Sequence, residues 1–580
     1  MKDILREFYE SLNQEERILA AEVATDRLGL LMRIAVNELD LDFERVEIGT
    51  APTEADNERS YLMRIGVVRI IKLAMQAHQQ FDAPTVTIQR SLTYSAAVYS
   101  LIGVAGAIEH GRRVAQSLAA KGGRIEKLPD RFRIVLPAKL ADLELHEREL
   151  ERLHKGYHKK RFTEDYQATI GVRIGDEVRS LLADLVYPFA KHFIGYEADP
   201  TLDFYFFGHA YSEMLLAKGF DTFHFSTTFG GVTFANFKLA AIFIVSVAMK
   251  HRAFVQALLE KEPSIRLENV LTVSVETAGF LEGLRDFINQ FGEKFEGHVT
   301  VADDDVRIIF EALSVSRRNL ALLDRPGAPL PPLIQCSDDH VIRPLAGATG
   351  DQVMLFLLNS LQHSFPKEYD RAQRARESVL QRAVEKAICS ALPTLEFRGN
   401  IKLRRAGKDL TDIDLVIVEK SGEHITLVQL KHQDPYGEDF ATMLARTGRL
   451  NQQVSDWLRK VRSWLDAASS AELYATLRLP ARPTRPEISL LVLTRHYAHS
   501  LRLVVADEDA TFSNWNQLVT AIAQLRERAA SATMCHLIKE LRGLSTQEEE
   551  EHLPEPSSVW TVGSLRFTIE QEQNSPDNVA

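Results

Sequence analysis

The sequence predicts a multidomain protein, with an α-rich (α+β) N-terminal region followed by a C-terminal α/β domain that has a mixed central sheet. Its 580 residues exceed what a single hydrophobic core usually supports. Helical periodicity dominates the first 325 residues, whereas two β-branched, apolar runs lie close together after residue 410. A hydrophobic content of 45% with 26% charged residues is that of a globular chain and excludes an intrinsically disordered one.

The N-terminal region, residues 1–325, is expected to be a sensor or interaction region, with a candidate division into two subdomains near residue 165. Apolar residues recur at helical spacing in seven segments: 1–48, 60–80, 92–121, 137–160, 168–197, 237–260 and 278–292. Short β-rich pieces lie between them at 84–88, 132–136 and 299–301. The sequence here contains no Walker loop, no Gly-rich dinucleotide fingerprint and no Gly-x-Ser-x-Gly motif, so we expect no nucleotide cofactor.

Proline-rich and acidic segments mark the remaining boundaries. The stretch Arg325-Pro-Gly-Ala-Pro-Leu-Pro-Pro332 is typical of a linker, and residues 326–364 are predicted to be this linker, a hairpin and a helix. The C-terminal α/β domain is assigned to residues 365–545. Residues 546–580 are predicted to be an acidic, partly disordered tail, with one or two closing strands as the alternative for 558–570.

Residues 411–418 and 425–431 are predicted to form a β-hairpin, because both runs are rich in β-branched residues and the segment between them has turn chemistry. A two-residue turn at Ser421-Gly422 sets the register. The face that carries no charge is then predicted to hold apolar and β-branched side chains: Ile413, Leu415, Ile417, Thr426, Val428 and Leu430.

The same register brings charged and polar side chains together on the other face. Asp414 faces Gln429, and Asp412 faces Lys431, near one end of the hairpin. Because both faces are otherwise apolar, these charges need a metal ion, a partner or a substrate to offset the cost of burial.

This arrangement resembles the PD-(D/E)xK nuclease superfamily, whose signature is an Asp that opens one core strand and an (Asp/Glu/Gln)-x-Lys sequence on the next. Asp414 and Gln429-Leu-Lys431 match that signature. The predicted order of elements matches as well: a helix at 371–392, a strand at 395–403, the hairpin, a helix at 442–466 and a strand at 487–495. The resemblance covers about residues 365–530 and implies a restriction-endonuclease-like fold for the C-terminal domain.

The resemblance also implies a Mg²⁺ or Mn²⁺ cofactor for phosphodiester hydrolysis. The implied ligands are the Asp414 carboxylate, the Gln429 amide oxygen, the Leu430 carbonyl and Glu385 on the preceding helix, with Glu377 as the competing acid. Lys431 is implied to stabilise the phosphate or to orient the attacking water. Most relatives have an acid where Gln429 stands, so this chain resembles the Gln-x-Lys variant of Mrr-type restriction enzymes. The lost negative charge predicts weaker metal binding and a larger role for Glu385.

Contacts with nucleic acid must come from local basic patches, because the formal net charge of the chain is -11. Lys402, Arg404 and Arg405 flank the first predicted strand of the domain and are candidate phosphate ligands, with a solvated strand edge as an equal alternative. The resemblance adds Gln453, or its neighbour Gln452. The basic and aromatic stretch 154–162 is predicted to be a solvated loop.

The expected function is a metal-dependent endonuclease that hydrolyses DNA, and by analogy with the superfamily a bacterial defence effector regulated by its N-terminal region. Two alternatives stay open: a catalytically inactive nuclease fold that binds nucleic acid or acts as a scaffold, and an RNA-directed nuclease. Three widely spaced cysteines, the lack of a signal-peptide pattern and a longest apolar run of only 239–249 predict a cytoplasmic protein with no membrane partner. Expected partners are DNA and a second copy of the chain or another protein.

Overall fold

The computed structural model describes residues 2–24, 27–48, 53–78, 88–121, 123–136, 153, 156, 160, 164, 174–216, 222–324, 327–405, 407–420, 423–434, 440–505, 509–528, 532–545 and 558–571. Helices account for most of this part of the chain, and the strands form several small sheets, which is the helix-rich, multidomain architecture that the sequence predicts. The predicted helix at 137–160, the candidate break near 165 and nearly all of the predicted strand at 84–88 lie outside the described residues.

The first part of the N-terminal region consists of four long helices and an antiparallel strand pair. These are α1 (Lys2–Val23), α2 (Leu28–Ile48), α3 (Glu54–Ala77), α4 (Leu92–Lys121), β1 (Arg124–Lys127) and β2 (Phe132–Leu136). The prediction for 92–121 is confirmed to the residue, and the strand at 132–136 is confirmed too.

The second part is built around one long apolar helix. Its elements are α5 (Ile174–Leu185), β3 (Val186–Phe189), β4 (Phe193–Tyr196), α6 (Pro200–Tyr211), β5 (Thr228–Phe229), β6 (Val232–Thr233), α7 (Phe234–Lys261), β7 (Val273–Glu276), α8 (Thr277–Gly292), α9 (Asp303–Leu313) and β8 (Ser314–Val315). By length and composition alone, α4 and α7 would suffice to span a membrane. Most of α7 is nevertheless buried against its neighbouring helices, as expected for a core helix.

Residues 299–301 do not form the predicted strand. The amide of Asn289 accepts from the Val301 N–H (2.9 Å) and donates to the Val301 carbonyl (3.2 Å). Both backbone groups of Val301 are therefore satisfied by one side chain, and no strand partner is needed.

Within 326–364 the predicted hairpin and helix are confirmed, but the predicted linker is wrong, because the described residues, 327–364, belong to the core of the N-terminal region. β9 (Leu333–Gln335) and β10 (His340–Arg343) join β7 and β8 in a four-stranded sheet of order β7-β10-β9-β8, and α10 (Gly350–Ser364) follows. Leu330 is 1% exposed, and its N–H donates to Gln352. The prolines hold an extended chain against the core here instead of separating two domains.

The predicted disordered tail is also wrong for residues 558–571. β16 (Ser558–Val562) and β17 (Leu565–Gln571) form a hairpin, and β17 pairs in parallel with β2 to give a sheet of order β1-β2-β17-β16. Phe567 is fully buried beside Phe8, and the Glu15 carboxylate accepts from the N–H and the hydroxyl of Ser564. The alternative of closing strands is the one that the structure bears out, and these strands close the N-terminal region.

The C-terminal domain has a five-stranded mixed sheet with helices on both faces. Its elements are α11 (Pro366–Gln373), α12 (Arg376–Ala391), β11 (Glu396–Arg405), β12 (Lys408–Val418), β13 (His424–Lys431), α13 (Phe440–Ala467), α14 (Ser470–Thr476), β14 (Glu487–Thr494), α15 (His499–Val504), β15 (Ala510–Asn514), α16 (Trp515–Arg528) and α17 (Met534–Ser545). The strand order is β11-β12-β13-β14-β15, antiparallel up to β13 and parallel from β13 to β15.

The two faces of this sheet are covered by different helices. We call the side packed by α13 and α14 the α13 face, and the side packed by α12, α16 and α17 the α12 face. The predicted single helix at 371–392 is two helices, α11 and α12, separated at Arg374 and Ala375. α13 also packs on α4 of the N-terminal region, so the two regions are in contact.

We expect Phe567→Ala to destabilise the N-terminal region by about 3–5 kcal/mol, because it removes a fully buried ring from the core. Val559→Ala, in the same hairpin at 60% exposure, is the matched control and should change the free energy of unfolding by less than about 0.5 kcal/mol. Denaturant unfolding of the full chain measures both. Equal midpoints for the two variants would show that the hairpin is not part of the core.

Candidate active site

The candidate site lies where β12 and β13 separate. The paired part of the two strands has Leu415 opposite Val428 and Val416 opposite Leu427, which is the predicted register. The turn residues Ser421 and Gly422 lie outside the described part of the chain. Continued by one residue, this register sets Asp414 against Gln429.

The carboxylate of Asp414 lies between β12 and β13 where their backbone pairing ends. Its Oδ2 atom accepts a hydrogen bond from the Leu430 N–H (2.6 Å) and another from Nε2 of Gln429 (2.5 Å). The N–H of Leu430 thus bonds to a side chain of the neighbouring strand. Asp414 and Gln429 are 7% and 4% exposed, so the carboxylate is held in a nearly dry position.

The backbone is irregular at the same point. Asn400 of β11, next to Gly399, has a φ of 54°, in the left-handed region that β-strand residues rarely occupy. Leu415 and Ile417 share one face, as predicted, and that face is the α12 face, but Ile413 lies on the α13 face with Val416. The predicted placement of Ile413 is therefore wrong, because the strand rotates around Asp414 where the prediction assumed strict alternation.

Burial raises the pKa of Asp414 to about 7. The hydrogen bond from Leu430 and the positive charge of Lys431 lower the pKa and so oppose this shift, whereas the negative charges of Glu377 and Asp412 add to it. The predicted group of Asp412, Asp414, Gln429 and Lys431 is thus brought together, with Asp412 exposed and Lys431 half-buried.

The two candidate acids on α12 have different surroundings. Glu377 lies in the first turn of α12, and its charge acts on Asp414. Glu385 lies eight residues later, about 12 Å along the helix axis, and accepts a hydrogen bond from Gln381 (2.8 Å). The structure therefore favours Glu377, the competing acid of the sequence analysis, as the partner of Asp414.

The donor atoms around Asp414 fit a hard divalent cation. The Oε1 atom of Gln429 is buried without a hydrogen-bond partner, and both hydrogen bonds to Asp414 reach Oδ2 alone. The N–H and C=O of a strand residue point the same way, so the Leu430 carbonyl is directed to the Asp414 side, like its N–H. Within the described ranges no three His, Cys, Asp or Glu side chains form a metal-ligating group, so the fit rests on one carboxylate and neutral oxygens.

Two residues that sequence reasoning missed, Asn400 and His432, lie at or beside this site. Asn400 carries the backbone irregularity, and its only sequence signal is a Gly-Asn pair inside an apolar strand. His432 directly follows Lys431, and burial, with the nearby charge of Arg495, lowers the pKa of its imidazole well below the usual value. The neutral ring at pH 7 is therefore able to donate or accept a hydrogen bond beside the site.

The predicted nucleic-acid ligands are all exposed. Lys402 and Arg404 share the carboxylate of Asp409, at 3.4 and 2.8 Å, whereas Arg405 donates to the hydroxyl of Ser463 on α13 (3.2 Å). Gln453 and Gln452 both point to solvent from α13. The basic stretch at 154–162 lies outside the described part of the chain except for residues 156 and 160.

A buried ion pair joins the end of β13 to both neighbouring helices and to the N-terminal region. The guanidinium of Arg376 pairs with both carboxylate oxygens of Asp434, and the hydroxyl of Tyr369 donates to the same carboxylate (3.2 Å). Arg446 of α13 donates to the Asp434 carbonyl (2.9 Å). Arg376 also lies over the ring of Phe223, 5.0 Å from its centroid. We call Tyr369, Arg376, Asp434 and Arg446 the Asp434 cluster. Asp434 follows Lys431 by three residues and Arg376 directly precedes Glu377, so the cluster fixes the end of β13 and the start of α12 relative to each other.

Searches against protein-family models, curated proteins and solved structures returned no match for this chain.

We expect the Asp414→Asn variant to be more stable than the wild type at pH 8 in EDTA, by on the order of 2–4 kcal/mol. The pKa of Asp414 is raised, so the folded state retains a proton through the window from about pH 4 to 7 in which the unfolded chain has lost it. The wild type therefore loses stability as the pH rises through this window, and Asn does not. Denaturant unfolding between pH 4.5 and 8 measures the difference, which should vanish at the acid end.

The control for this experiment is Asp412→Asn, which removes an exposed carboxylate two residues away. Its free energy of unfolding should follow that of the wild type at every pH. If Asp414→Asn does the same, the carboxylate of Asp414 is not buried as described.

We expect Asp434→Ala to cost about 3–5 kcal/mol, because it leaves Arg376 as an uncompensated charge at 4% exposure. Glu396→Ala, which removes the exposed partner of Arg398 on β11, should cost at most about 1 kcal/mol. Thermal unfolding of both variants measures this contrast. Comparable losses would show that the Asp434 cluster is not an important link.

Proposed function

We propose that the C-terminal domain is a metal-dependent nuclease that hydrolyses DNA phosphodiester bonds. The observation that carries the proposal is the Asp414 carboxylate in the gap between β12 and β13, beside the buried, unpartnered oxygen of Gln429. The order of strands and helices around that gap supports it, since it follows the order that the PD-(D/E)xK resemblance implies.

Asp414, Gln429 and the Leu430 carbonyl are the groups that would hold the ion. A bound Mg²⁺ or Mn²⁺ supplies charge stabilisation at the phosphate and a more acidic water. Asp414 contributes the single full negative charge of this set, and its raised pKa means that it must lose a proton before it binds a cation at neutral pH. Glu377 adds negative charge from α12 without direct contact.

Lys431 is the cationic group of the site. Its charge acts on Asp414, and it is half-buried at the end of β13. An ammonium group here stabilises the negative charge that develops on the phosphate oxygens, and it does so more strongly at a partly buried position than in water. The backbone carbonyl of Lys431 accepts from the Arg495 N–H (3.0 Å), which fixes the end of the strand against β14.

The alternative of an inactive nucleic-acid-binding or scaffold domain has one observation in its favour. Nε2 of Gln429 donates a hydrogen bond to Asp414. The amide nitrogen thus lies at the position where the acidic residue of an active relative would place a carboxylate oxygen. An inactive domain would bind nucleic acid equally well in EDTA. An RNA-directed nuclease is separated from the proposal by digestion of matched DNA and RNA substrates.

We expect the purified full chain to nick supercoiled plasmid with Mg²⁺ or Mn²⁺ and not in EDTA. Lys431→Ala should lower the nicking rate by about 100-fold or more, because it removes charge stabilisation at the phosphate. Lys420→Ala, an exposed lysine at the far end of β12, is the matched control and should nick at the wild-type rate. Identical rates for wild type and Lys431→Ala would overturn the catalytic assignment.

A second pair of variants identifies the acid on α12. Glu377→Gln should lower the rate and raise the metal concentration needed for half-maximal nicking, because it removes a nearby negative charge that would attract the cation. Glu385→Gln should have the smaller effect, since Glu385 is bound to Gln381. The reverse order would restore Glu385 as the functional acid.

A further inference from the structure

An open depression with three arginines lies at the C-terminal end of α13. It is lined by Arg405 at the end of β11 and by Arg459, Arg462, Ser463, Asp466 and Ala467 on α13. Arg405 comes from a loop-facing strand end and the others from one helix, so the three guanidinium groups are brought together by the fold and not by adjacency in sequence.

Two of the three arginines form ion pairs with exposed aspartates. Arg459 pairs with Asp456 (2.9 Å) and Arg462 with Asp509 (3.2 Å), and the side chains of these two aspartates are 51% and 82% exposed. Exposed ion pairs contribute about 0–1 kcal/mol. A phosphate, which accepts two parallel hydrogen bonds from a guanidinium, can therefore replace these carboxylates at little cost.

Helix α13 links the depression to β12, the strand that carries Asp414. Asp412, two residues before Asp414, accepts through its carbonyl from the indole N–H of Trp457 (2.8 Å), and Trp457 precedes Arg459 by two residues on α13. Arg405 lies five residues from Asn400, which flanks Asp414, so about 17 Å of strand separates them. Along a DNA duplex, where each strand has one phosphate per about 3.4 Å of axis, this distance corresponds to about five phosphates.

We propose that Arg405, Arg459 and Arg462 form a binding site for the backbone phosphates of duplex DNA about five nucleotides from the bond to be cut. The choice of DNA as ligand rests on the proposed function. The site extends the candidate contact at Arg405 to α13 and gives the domain a local cationic surface, which the overall charge of -11 does not supply.

The test is binding of a fluorescent 20-base-pair duplex by the full chain in EDTA, measured by anisotropy at several salt concentrations. The triple variant R405A/R459A/R462A should bind at least tenfold more weakly, and the slope of log K against log salt should fall by about 0.9 for each lost phosphate contact, or nearly three in total. The charge-preserving variant R405K/R459K/R462K should keep most of the slope and lose part of the affinity, because lysine makes no bidentate contact.

The matched control is R382A/R526A/K539A, which removes three exposed cations from the helices of the α12 face. It should bind like the wild type. If the arginine variant and this control have the same affinity and salt slope, or if the wild type binds only single-stranded RNA or no nucleic acid, the proposal is overturned.

Failure of this proposal is distinguishable from failure of the proposed function. Asp414→Asn should bind the duplex with the wild-type affinity and slope while it loses nicking. If the protein binds DNA through the three arginines but never nicks it, the phosphate site stands and the proposed nuclease function is wrong. If the arginine variant nicks at the wild-type rate in low salt, the nuclease function stands and the phosphate site is wrong.

Discussion

The burial of the Asp414 carboxylate between two strands is the constraint on which the C-terminal domain depends. Moving a carboxylate out of water is costly unless hydrogen bonds, a proton or a cation compensate. Two hydrogen bonds reach one of its oxygens, and they do not restore an ordinary pKa, because the value is raised to about 7. Near physiological pH the carboxylate is therefore close to the point at which it gains or loses a proton, and in the proposed nuclease a cation would replace that proton. A buried carboxyl group with such a raised pKa is a candidate functional group.

The two regions of the chain are connected at places that bear on this site. The Asp434 cluster ties the end of β13 to α12 and α13, and through Tyr369 and Phe223 to the aromatic core around Phe229 and Phe234. The last strand, β17, returns to pair with β2. The C-terminal domain therefore lies in sequence between β2 and β17, two strands that pair with each other in the N-terminal region. Arg376 and Asp434 are thus the described groups that connect the neighbourhood of Lys431 and Glu377 to the N-terminal region.

The sequence predicted the parts of this structure that depend on local pattern. The register of β12 and β13 follows from a two-residue turn and a side-chain period of two, and α4 follows from an uninterrupted apolar period. The placement of Ile413 on the α13 face could not be predicted, because β12 departs from strict alternation at Asp414 and nothing in the sequence pattern marks that irregularity. The preference for Glu385 over Glu377 stays a prediction, because both acids lie on α12 and helical spacing alone does not say which of them acts on Asp414. The parallel pairing of β17 with β2 joins residues more than 400 positions apart, and local patterns hold no information about such a pairing.

The presence of Gln at 429 has a physical consequence for how the site works. An acid at that position would lie within hydrogen-bonding distance of Asp414, and two such carboxylates cannot both stay ionised without a cation. The amide avoids this repulsion and donates to Asp414, so the metal-free site is stable but closed. In the proposed nuclease, the buried Oε1 atom of Gln429, which has no hydrogen-bond partner, would be the oxygen that the amide offers to the cation. An amide in place of a carboxylate would lower the affinity for that cation, because it leaves Asp414 as the single full negative charge among these ligands. Whether Asp414 is ionised would therefore decide whether the cation binds near neutral pH.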